Sequence, residues 1–200
     1  MTQTITALFD TYDEAASAVR ELESIGVKQA DISLVANNSD RWYDEAPSNA
    51  AEDAGAGAGI GAAVGGVGGL LAGLGIMAIP GVGPVVAAGW LAATAAGAAA
   101  GAVAGGAAGG LIGAMTGTGV SESDAHVYAE GVRRGGTLVT AHVEDHKLAL
   151  ANEVLQRYRR VDVADRGRFY RDGGWSRFDA AAPAYTPEEV ARERDRSLRV

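Results

Sequence analysis

The stretch Thr4–Asn37, "TITALFDTYDEAASAVRELESIGVKQADISLVAN", predicts a strand, a helix and a second strand in succession. The β-branched and aromatic residues at its start are typical of a strand. Thr11 and Glu14 have the spacing of a capping box and predict where the helix begins, and Gly26 predicts where it ends. The apolar residues of the helix recur at helical spacing and form one stripe: Ala15, Ala18, Val19, Leu22 and Ile25. A unit of this size cannot bury a core alone, so it must pack against another part of the chain.

A second unit of similar order follows about a hundred residues later. Residues 137–143 predict a third strand, residues 145–160 a helix, and residues 161–165, "VDVAD", a short fourth strand. One face of that helix is apolar: Leu148, Ala151, Leu155 and Tyr158. Residues 1–36 and 137–163 therefore predict the two halves of an α+β domain of the ferredoxin-like, split βαβ type, interrupted by a long insertion.

The composition of the insertion divides it into three parts. Residues 37–53 form an acidic linker, residues 54–120 a Gly/Ala-rich block without a charged residue, and residues 121–136 a connecting helix. Ser121 and Asp124 have capping-box spacing at the start of that helix.

Glycine spacing predicts that the Gly/Ala-rich block is a helical hairpin, with arms at about 54–79 and 84–117 and a turn at "IPGVGP" (79–84). Nine glycines lie between Gly89 and Gly117, and seven of them share one register of spacing four, which is a helical period. A flexible linker would be richer in serine and charge. A loose G-x-G-x-x-A match carries no weight in so glycine-rich a block, and no Gly-Lys pair is present.

Side-chain-free faces allow two helices to approach closely, as in GxxxG or glycine-zipper packing. We therefore predict that these faces mediate helix packing and oligomerisation. The glycines concerned are Gly57, Gly61, Gly65, Gly69, Gly73, Gly89, Gly97, Gly101, Gly105, Gly109, Gly113 and Gly117.

The surroundings of the predicted arms leave two alternatives open. Each arm exceeds the ~20 residues that span a bilayer, and Trp90 and Trp42 could lie at opposite interfaces. Glycine and alanine, however, give weak transfer energies, and the flanking segments are acidic, so no positive-inside pattern fixes an orientation. The alternatives are membrane insertion and a water-soluble homo-oligomer whose hairpins bury one another.

The tail, residues 164–200, holds eight arginines and predicts mostly irregular structure that ends in a short helix after Thr186 and Pro187. It also carries five aromatic residues: Phe169, Tyr170, Trp175, Phe178 and Tyr185. One interpretation is a solvated tail. The other is docking, in the same subunit or the next, on the sheet face that alternation gives to Thr4, Thr6, Thr140 and His142.

Composition and motifs also bear on function. The net charge is −8, with eleven acidic and three basic residues in 1–53, so nucleic acid is not an expected partner. No cysteine is present, which excludes thiol chemistry, and no secretory signal is recognised, so we expect a cytoplasmic protein or one at the cytoplasmic side of the inner membrane.

No catalytic or metal-binding set can be argued from the order of residues. His142 and His146 are four apart with Glu144 and Asp145 between them, but His142 lies on a predicted strand and the ligands are too few. His126 is expected to be a surface histidine. We expect a protein that is not an enzyme, with no metal, no cofactor and no small-molecule substrate.

Over residues 1–163 the chain resembles the general stress protein 17M family, also called the YflT-like or heat-induced stress domain. The resemblance lies in Thr4–Asn37, in "IPGVGPVVAAG", and in "DAHVYAEGVRRGGTLVTAHVEDHKLALANEVLQRY" (124–158). The tail segment "WSRFDAAAPAYTPEEVARERDR" is similar to a companion of that domain. The resemblance implies a bacterial, stress-associated, non-enzymatic protein, and it transfers no active-site residue.

Overall fold

The computed structural model of the chain describes residues 1–39, 41, 43, 75–79, 81–94 and 109–197. These residues form an α+β fold on a five-stranded antiparallel sheet. In chain order the elements are β1 (Thr2–Phe9), α1 (Tyr12–Ser24), β2 (Ile32–Asn37), β3 (Gly75–Ile79), β4 (Gly83–Ala88), α2 (Glu122–Arg133), β5 (Thr137–Glu144), α3 (Leu148–Arg157), α4 (Val163–Asp172) and α5 (Pro187–Ser197). Shorter helical turns lie at Gln29–Asp31, 90–94, Gly109–Gly113, Ala114–Thr116 and Asp145–Lys147.

The strand order in the sheet is β1-β5-β2-β4-β3. β5 pairs antiparallel with β1, from Thr2↔Glu144 to Phe9↔Thr137, and antiparallel with β2 on its other side. β1 and β2 therefore run in the same direction, and α1 is the crossover between them. The first strand–helix–strand prediction is confirmed.

The predicted helix starts are confirmed in atomic detail. The hydroxyl of Thr11 accepts a hydrogen bond from the amide of Glu14 at 3.3 Å and donates one to its carboxylate at 3.0 Å. The hydroxyl of Ser121 accepts from the amide of Asp124 at 3.1 Å. Each cap satisfies an amide that the first turn of the helix leaves without a partner.

The sheet is buried on both faces. On one face α1 and α3 cover a core that includes Phe9, Leu34 and Val139. The neighbouring strand residues Leu8, Val35 and Leu138 point to the other face, into a second core with α2, the turns at 109–116 and part of the tail. Both sets are 0–1% exposed, so the period-two alternation of the strands serves two cores at once.

The predicted fourth strand is wrong. The carboxylate of Asp162 accepts hydrogen bonds from the amides of Ala164 and Asp165, both at 2.9 Å, and so caps α4. One strand-like bond to β1 is present, from the amide of Val161 to the carbonyl of Leu8 at 2.8 Å. The strong N-cap at Asp162 outweighs the β-branched pattern of "VDVAD".

The helical prediction is also wrong for residues 75–79 and 84–88, which belong to the two strands of a β-hairpin at the edge of the sheet, β3 and β4. The predicted turn is in the right place, because Ile79 pairs with Gly83. β4 pairs with β2 from Leu34↔Ala88 to Asn37↔Val85, and Val85 is fully buried. Strand pairing with β2 therefore outweighs the helical period of the glycines. Residues 54–74 and 95–108 of the predicted hairpin lie outside the described residues.

Gly89 does not lie on a helix face as predicted. Its φ of +89° bends the chain from β4 into the helical turn at 90–94. A Cβ at this position would overlap the carbonyl oxygen of Ile32 and lie 2.7 Å from Cα of Ser33. Glycine is needed here for backbone approach and conformation, and not for helix–helix packing.

The other predicted packing glycines divide into two groups. Gly109, Gly113 and Gly117 lie in or next to the helical turns at 109–116, although Gly110, at φ −40° and ψ −134°, interrupts the helical geometry there. Eight lie outside the described residues: Gly57, Gly61, Gly65, Gly69, Gly73, Gly97, Gly101 and Gly105.

The tail is more regular than predicted. It contains α4 as well as the predicted last helix, α5. The hydroxyl of Thr186 accepts from the amide of Glu189 at 3.3 Å, and the Glu189 carboxylate accepts from the amide of Thr186 at 2.8 Å. This reciprocal capping box explains the start of α5.

Candidate functional site

The most extensive polar cluster among the described residues joins the tail to the end of α2, and we call it the tail junction. Its central group is the carboxylate of Glu130, whose side chain is 1% exposed. Arg134 donates to this carboxylate through Nε at 2.7 Å and to Glu193 of α5 through Nη1 at 2.9 Å. One guanidinium therefore links two carboxylates from two helices, and α5 is ionically bound to α2.

Arg134 also contacts aromatic side chains of the tail. Its guanidinium carbon lies 4.3 Å from the ring centroid of Tyr170, and that of Arg133 lies 4.7 Å from the ring of Tyr185. Burial lowers the pKa of Arg134, but the hydrogen bond and charge of Glu130 outweigh burial and raise the pKa above its ordinary value. The junction therefore holds two arginines against two aromatic faces.

A second ion pair holds α4 to the loop after β1. Arg166, 8% exposed, donates to both carboxylate oxygens of Asp10, at 2.7 and 2.9 Å. Burial lowers the pKa of Arg166, but the bidentate bond to Asp10 has the larger effect, so the pKa lies above its ordinary value. This geometry fixes the position of α4 against the sheet domain, which comprises the five strands with α1, α2 and α3.

Two hydrogen bonds to backbone carbonyls complete the attachment. Arg133 donates to the carbonyl of Pro183 at 2.8 Å, and Arg194 donates to the carbonyl of Gly135 at 3.0 Å. Both join the end of α2 to residues that are about fifty to sixty positions away in the chain. The tail is therefore attached to its own sheet domain along most of its length.

The five predicted tail aromatics all lie in this packed region. Tyr170 and Phe178 are buried, and Phe169, Trp175 and Tyr185 are half-buried. Trp175 packs edge-on against Tyr170, with the ring centroids 5.7 Å apart. In the structure the tail packs against its own chain, on the end of α2.

The predicted docking face is covered by other elements. Tyr128 of α2 donates to the carbonyl of Thr6 at 3.4 Å, and Trp90 stacks on His142 with ring centroids 4.3 Å apart. The tail contacts α2 and the β3–β4 turn. The sequence argument found the docking segment but not its docking surface.

Glu130 and Arg134 were not predicted as site residues, although their spacing of four is that of an ion pair on a helix. A glutamate on the buried side of α2 lies four residues before an arginine at the end of the helix. Such i, i+4 pairs are common on exposed helix faces. The apolar neighbours Ala129 and Val132, both buried, are what distinguish this pair from an exposed one.

The histidines predicted not to bind metal are spread over several environments. His146 lies 3.9 Å from the carboxylate of Glu144 and is exposed, whereas the ring of His142 is occupied by the Trp90 stack. In the described part of the chain no group of three or more acidic or histidine side chains could hold a metal ion.

A polar cleft of about 270 Å³ next to His142 is lined by residues that include Lys28, Asp31 and Lys147.

His126 is less exposed than predicted. Its side chain is 18% exposed, its Nε2 lies 3.8 Å from the carboxylate of Glu122, and its buried Nδ1 has no hydrogen-bond partner among the described residues. The expectation of a surface histidine is therefore corrected to that of a largely covered one on α2.

Comparison with known proteins gives no relative from which chemistry could be transferred. No protein-family model, no curated protein and no solved structure matches this chain. The resemblance to the general stress protein 17M family stays a prediction. Among the described helices, none has both the length and the apolar character needed to cross a bilayer.

Alkaline pH is expected to loosen the tail junction. Burial raises the pKa of Tyr170 to about 12, against the opposing effect of Arg166 and Arg134, and burial also raises that of Tyr128 to about 12. Because an unfolded chain releases these protons near pH 10, stability is full below pH 10 and is lost as the pH rises towards 12. We expect a loss of about 2–3 kcal/mol for each phenol by pH 12.

The measurement is urea unfolding, followed by circular dichroism, at several pH values between 8 and 12. Tyr170→Phe should remove only the part of the alkaline loss that Tyr170 contributes, because Tyr128 and the other tyrosines with raised pKa values, Tyr12, Tyr158 and Tyr185, still titrate. An equally steep loss in Tyr170→Phe and wild type would contradict this assignment.

Proposed function

We propose that the chain is a non-enzymatic, stress-associated bacterial protein that associates with itself through its Gly/Ala-rich segments. In this proposal a ferredoxin-like α+β domain, closed by its own tail, holds those segments at one edge of the sheet. Support comes from the resemblance to the general stress protein 17M family and from the glycine register between Gly97 and Gly109. The charged groups of the tail junction are paired with one another, which suits a structural role.

The position of the β3–β4 hairpin carries the proposal. The hairpin lies in the middle of the Gly/Ala-rich block, and β4 pairs with β2, so the turn that would join two membrane-spanning arms is part of the sheet. Two spans joined by this turn would place it across the bilayer from both ends of the block, whereas β2 before the block and α2 after it contact the same sheet. This position favours packing between glycine faces over a hairpin that crosses the membrane twice.

Membrane insertion is the second candidate, and the absence of charge in residues 54–74 favours it. A single crossing would place β2 and β3 on opposite sides of the bilayer, whereas both belong to one sheet, so the segment would have to enter and leave on the same side. The expected partners are accordingly a second copy of the chain and, in the alternative, a lipid bilayer.

Fractionation without detergent distinguishes these candidates. Self-association in water predicts a soluble particle of one defined mass that is a multiple of 20.3 kDa. Pelleting with membranes and resistance to a high-pH wash would favour membrane insertion instead. A monomer in the soluble fraction at micromolar concentration would contradict both.

A further inference from the structure

We propose that the outer edge of β1, the side of residues 2–6 that faces away from β5, pairs antiparallel with the same edge of a second copy of the chain. All residues of this strand are described by the structure. Two five-stranded sheets would then be joined edge to edge. The Gly/Ala-rich segments take no part in this contact, so it stands or falls separately from the proposed function.

The backbone of β1 presents half of its polar groups to the outer edge. β1 is the outermost strand, and β5 is its only partner strand in the described sheet. The carbonyl of Leu8 points away from β5, because it accepts from the amide of Val161 at 2.8 Å. Backbone groups alternate in direction along a strand, so the amides and carbonyls of Thr2, Thr4 and Thr6 also point to the outer edge.

These outward groups are available to a partner. Among the described residues one donor reaches them, the hydroxyl of Tyr128, which donates to the carbonyl of Thr6 at 3.4 Å. Thr2 is exposed, and Thr4 and Thr6 are half-buried. A row of accessible amides and carbonyls of this kind is a template for another strand.

β1 lacks the features that usually prevent a strand edge from pairing. Natural edge strands often carry a charged side chain, a proline or a bulge. Thr2–Phe9 contains no charged residue, no proline and no glycine. Its pairing with β5 also runs without interruption from Thr2↔Glu144 to Phe9↔Thr137. The strand is therefore regular and uncharged along the whole length that would pair.

Charge favours a second copy of the chain as the occupant. Because β1 is uncharged, placing it beside itself brings no like charges together on the paired strands. The charged side chains that flank the edge are engaged within their own copy: Glu144 lies 3.5 Å from Lys147, Arg159 lies 3.7 Å from Glu14, and Asp145 accepts from Gln3 at 3.2 Å. A complementary strand with neutral surroundings is thus present on every copy, as a two-fold contact requires.

The outward groups also define the register of the pair. A two-fold axis at Thr4 places Thr4 opposite Thr4 of the second copy and Thr2 opposite Thr6. All three outward-pointing threonines then exchange hydrogen bonds with the second copy, and Leu8 keeps its bond to Val161. A register that brings Leu8 into the pair would compete with Val161 for the Leu8 carbonyl.

The contact is small. Stable complexes bury at least about 1,000 Å² of surface, which is more than one short strand edge provides, so we expect pairing at roughly 0.1–1 mM chain and not at micromolar concentrations. The edge of β1 is therefore a weak contact between copies, and measurements of it need concentrated protein.

Disulfide trapping on the full-length chain tests the register. The chain has no cysteine, so Thr4→Cys introduces a single thiol. On the two-fold axis the two Cα atoms would lie about 5.5 Å apart, which is within the range of a disulfide. We expect oxidation by copper–phenanthroline at about 0.5 mM chain to give a disulfide-linked dimer on non-reducing gels.

Thr2→Cys is the matched control for this trapping. It places the same thiol on the same edge, but the two Thr2 positions lie four residues out of register, about 13 Å apart. Its yield of dimer should be at least about tenfold lower than that of Thr4→Cys. Equal yields from the two variants would overturn the proposed pairing.

Amide exchange of wild type, resolved residue by residue, covers the case in which a variant fails to fold. In a single copy the amides of Thr4 and Thr6 face solvent, whereas those of Ile5 and Ala7 face β5. Raising the concentration from about 0.02 to about 0.5 mM should slow exchange at Thr4 and Thr6 by about twofold and leave Ile5 and Ala7 unchanged.

Two outcomes of this exchange measurement would overturn the proposal. Fast exchange at Thr4 and Thr6 at both concentrations would mean that the edge stays unpaired. Slow exchange at both, without a disulfide dimer of Thr4→Cys, would mean that another segment of the same chain occupies the edge. Either result leaves self-association through the Gly/Ala-rich segments unaffected, because both readouts report on β1 alone.

Discussion

Arg134→Ala is expected to lower the free energy of unfolding by about 3–5 kcal/mol, because it leaves a buried carboxylate without its main partner. Glu130 is 1% exposed and accepts from Arg134 at 2.7 Å, and its other cation, Arg133, is more distant at 3.5 Å. The substitution also removes the bond to Glu193 and the stacking on Tyr170. Urea unfolding at pH 7 measures the loss.

Arg168→Ala is the matched control for this substitution. Arg168 is an arginine of α4 whose side chain is 69% exposed and pairs with the exposed carboxylate of Asp165. Surface pairs of this kind contribute at most about 1 kcal/mol, so the control should unfold nearly as wild type does. If Arg134→Ala costs no more than Arg168→Ala, the tail junction does not stabilise the fold.

Local sequence patterns correctly predicted the helices and strands that are stabilised by interactions between residues close together in the chain. The capping pairs Thr11–Glu14 and Ser121–Asp124 gave the starts of two helices, and the β-branched and aromatic residues at the start of the chain gave the first strand. These features depend on hydrogen bonds and side-chain directions that short segments fix by themselves.

Elements decided by distant partners were predicted less well. Residues 83–88 have a helical glycine period on one side, but β2 offers backbone hydrogen bonds along its free edge, and pairing with it buries Val85 and Val86. Gly89 was assigned to a helix face, whereas the carbonyl of Ile32 on β2 requires a glycine at that bend. The spacing of residues within 83–89 cannot predict these contacts, because they are made with β2.

The tail junction was also predicted incompletely, because it depends on partners that are distant in the chain. The tail aromatics drew attention because five of them lie on one arginine-rich segment, and in the structure they are buried or half-buried, but not on the predicted sheet face. Their acceptor was not found, since Glu130 and Arg134 become a buried pair only through the approach of α5 from sixty residues away. The pairing of buried charges is a property of the assembled fold.

Association through the glycine faces is the second prediction with a large expected effect. Gly101 and Gly105 lie in the register of spacing four, one turn apart on a helix, and leucines there would hold two helices several ångströms apart. Ala99→Leu with Ala107→Leu is the matched control, because in the predicted helix it would add the same apolar bulk on the opposite side.

Sedimentation equilibrium of the Gly101→Leu/Gly105→Leu double variant, beside the alanine control and wild type, tests the central claim most directly. In the buffer or detergent in which wild type forms one particle, we expect the glycine variant to sediment as the 20.3 kDa monomer and the control to keep the wild-type mass. Circular dichroism should show the sheet domain intact in all three. A glycine variant that retains the wild-type mass would contradict self-association through the Gly/Ala-rich segments.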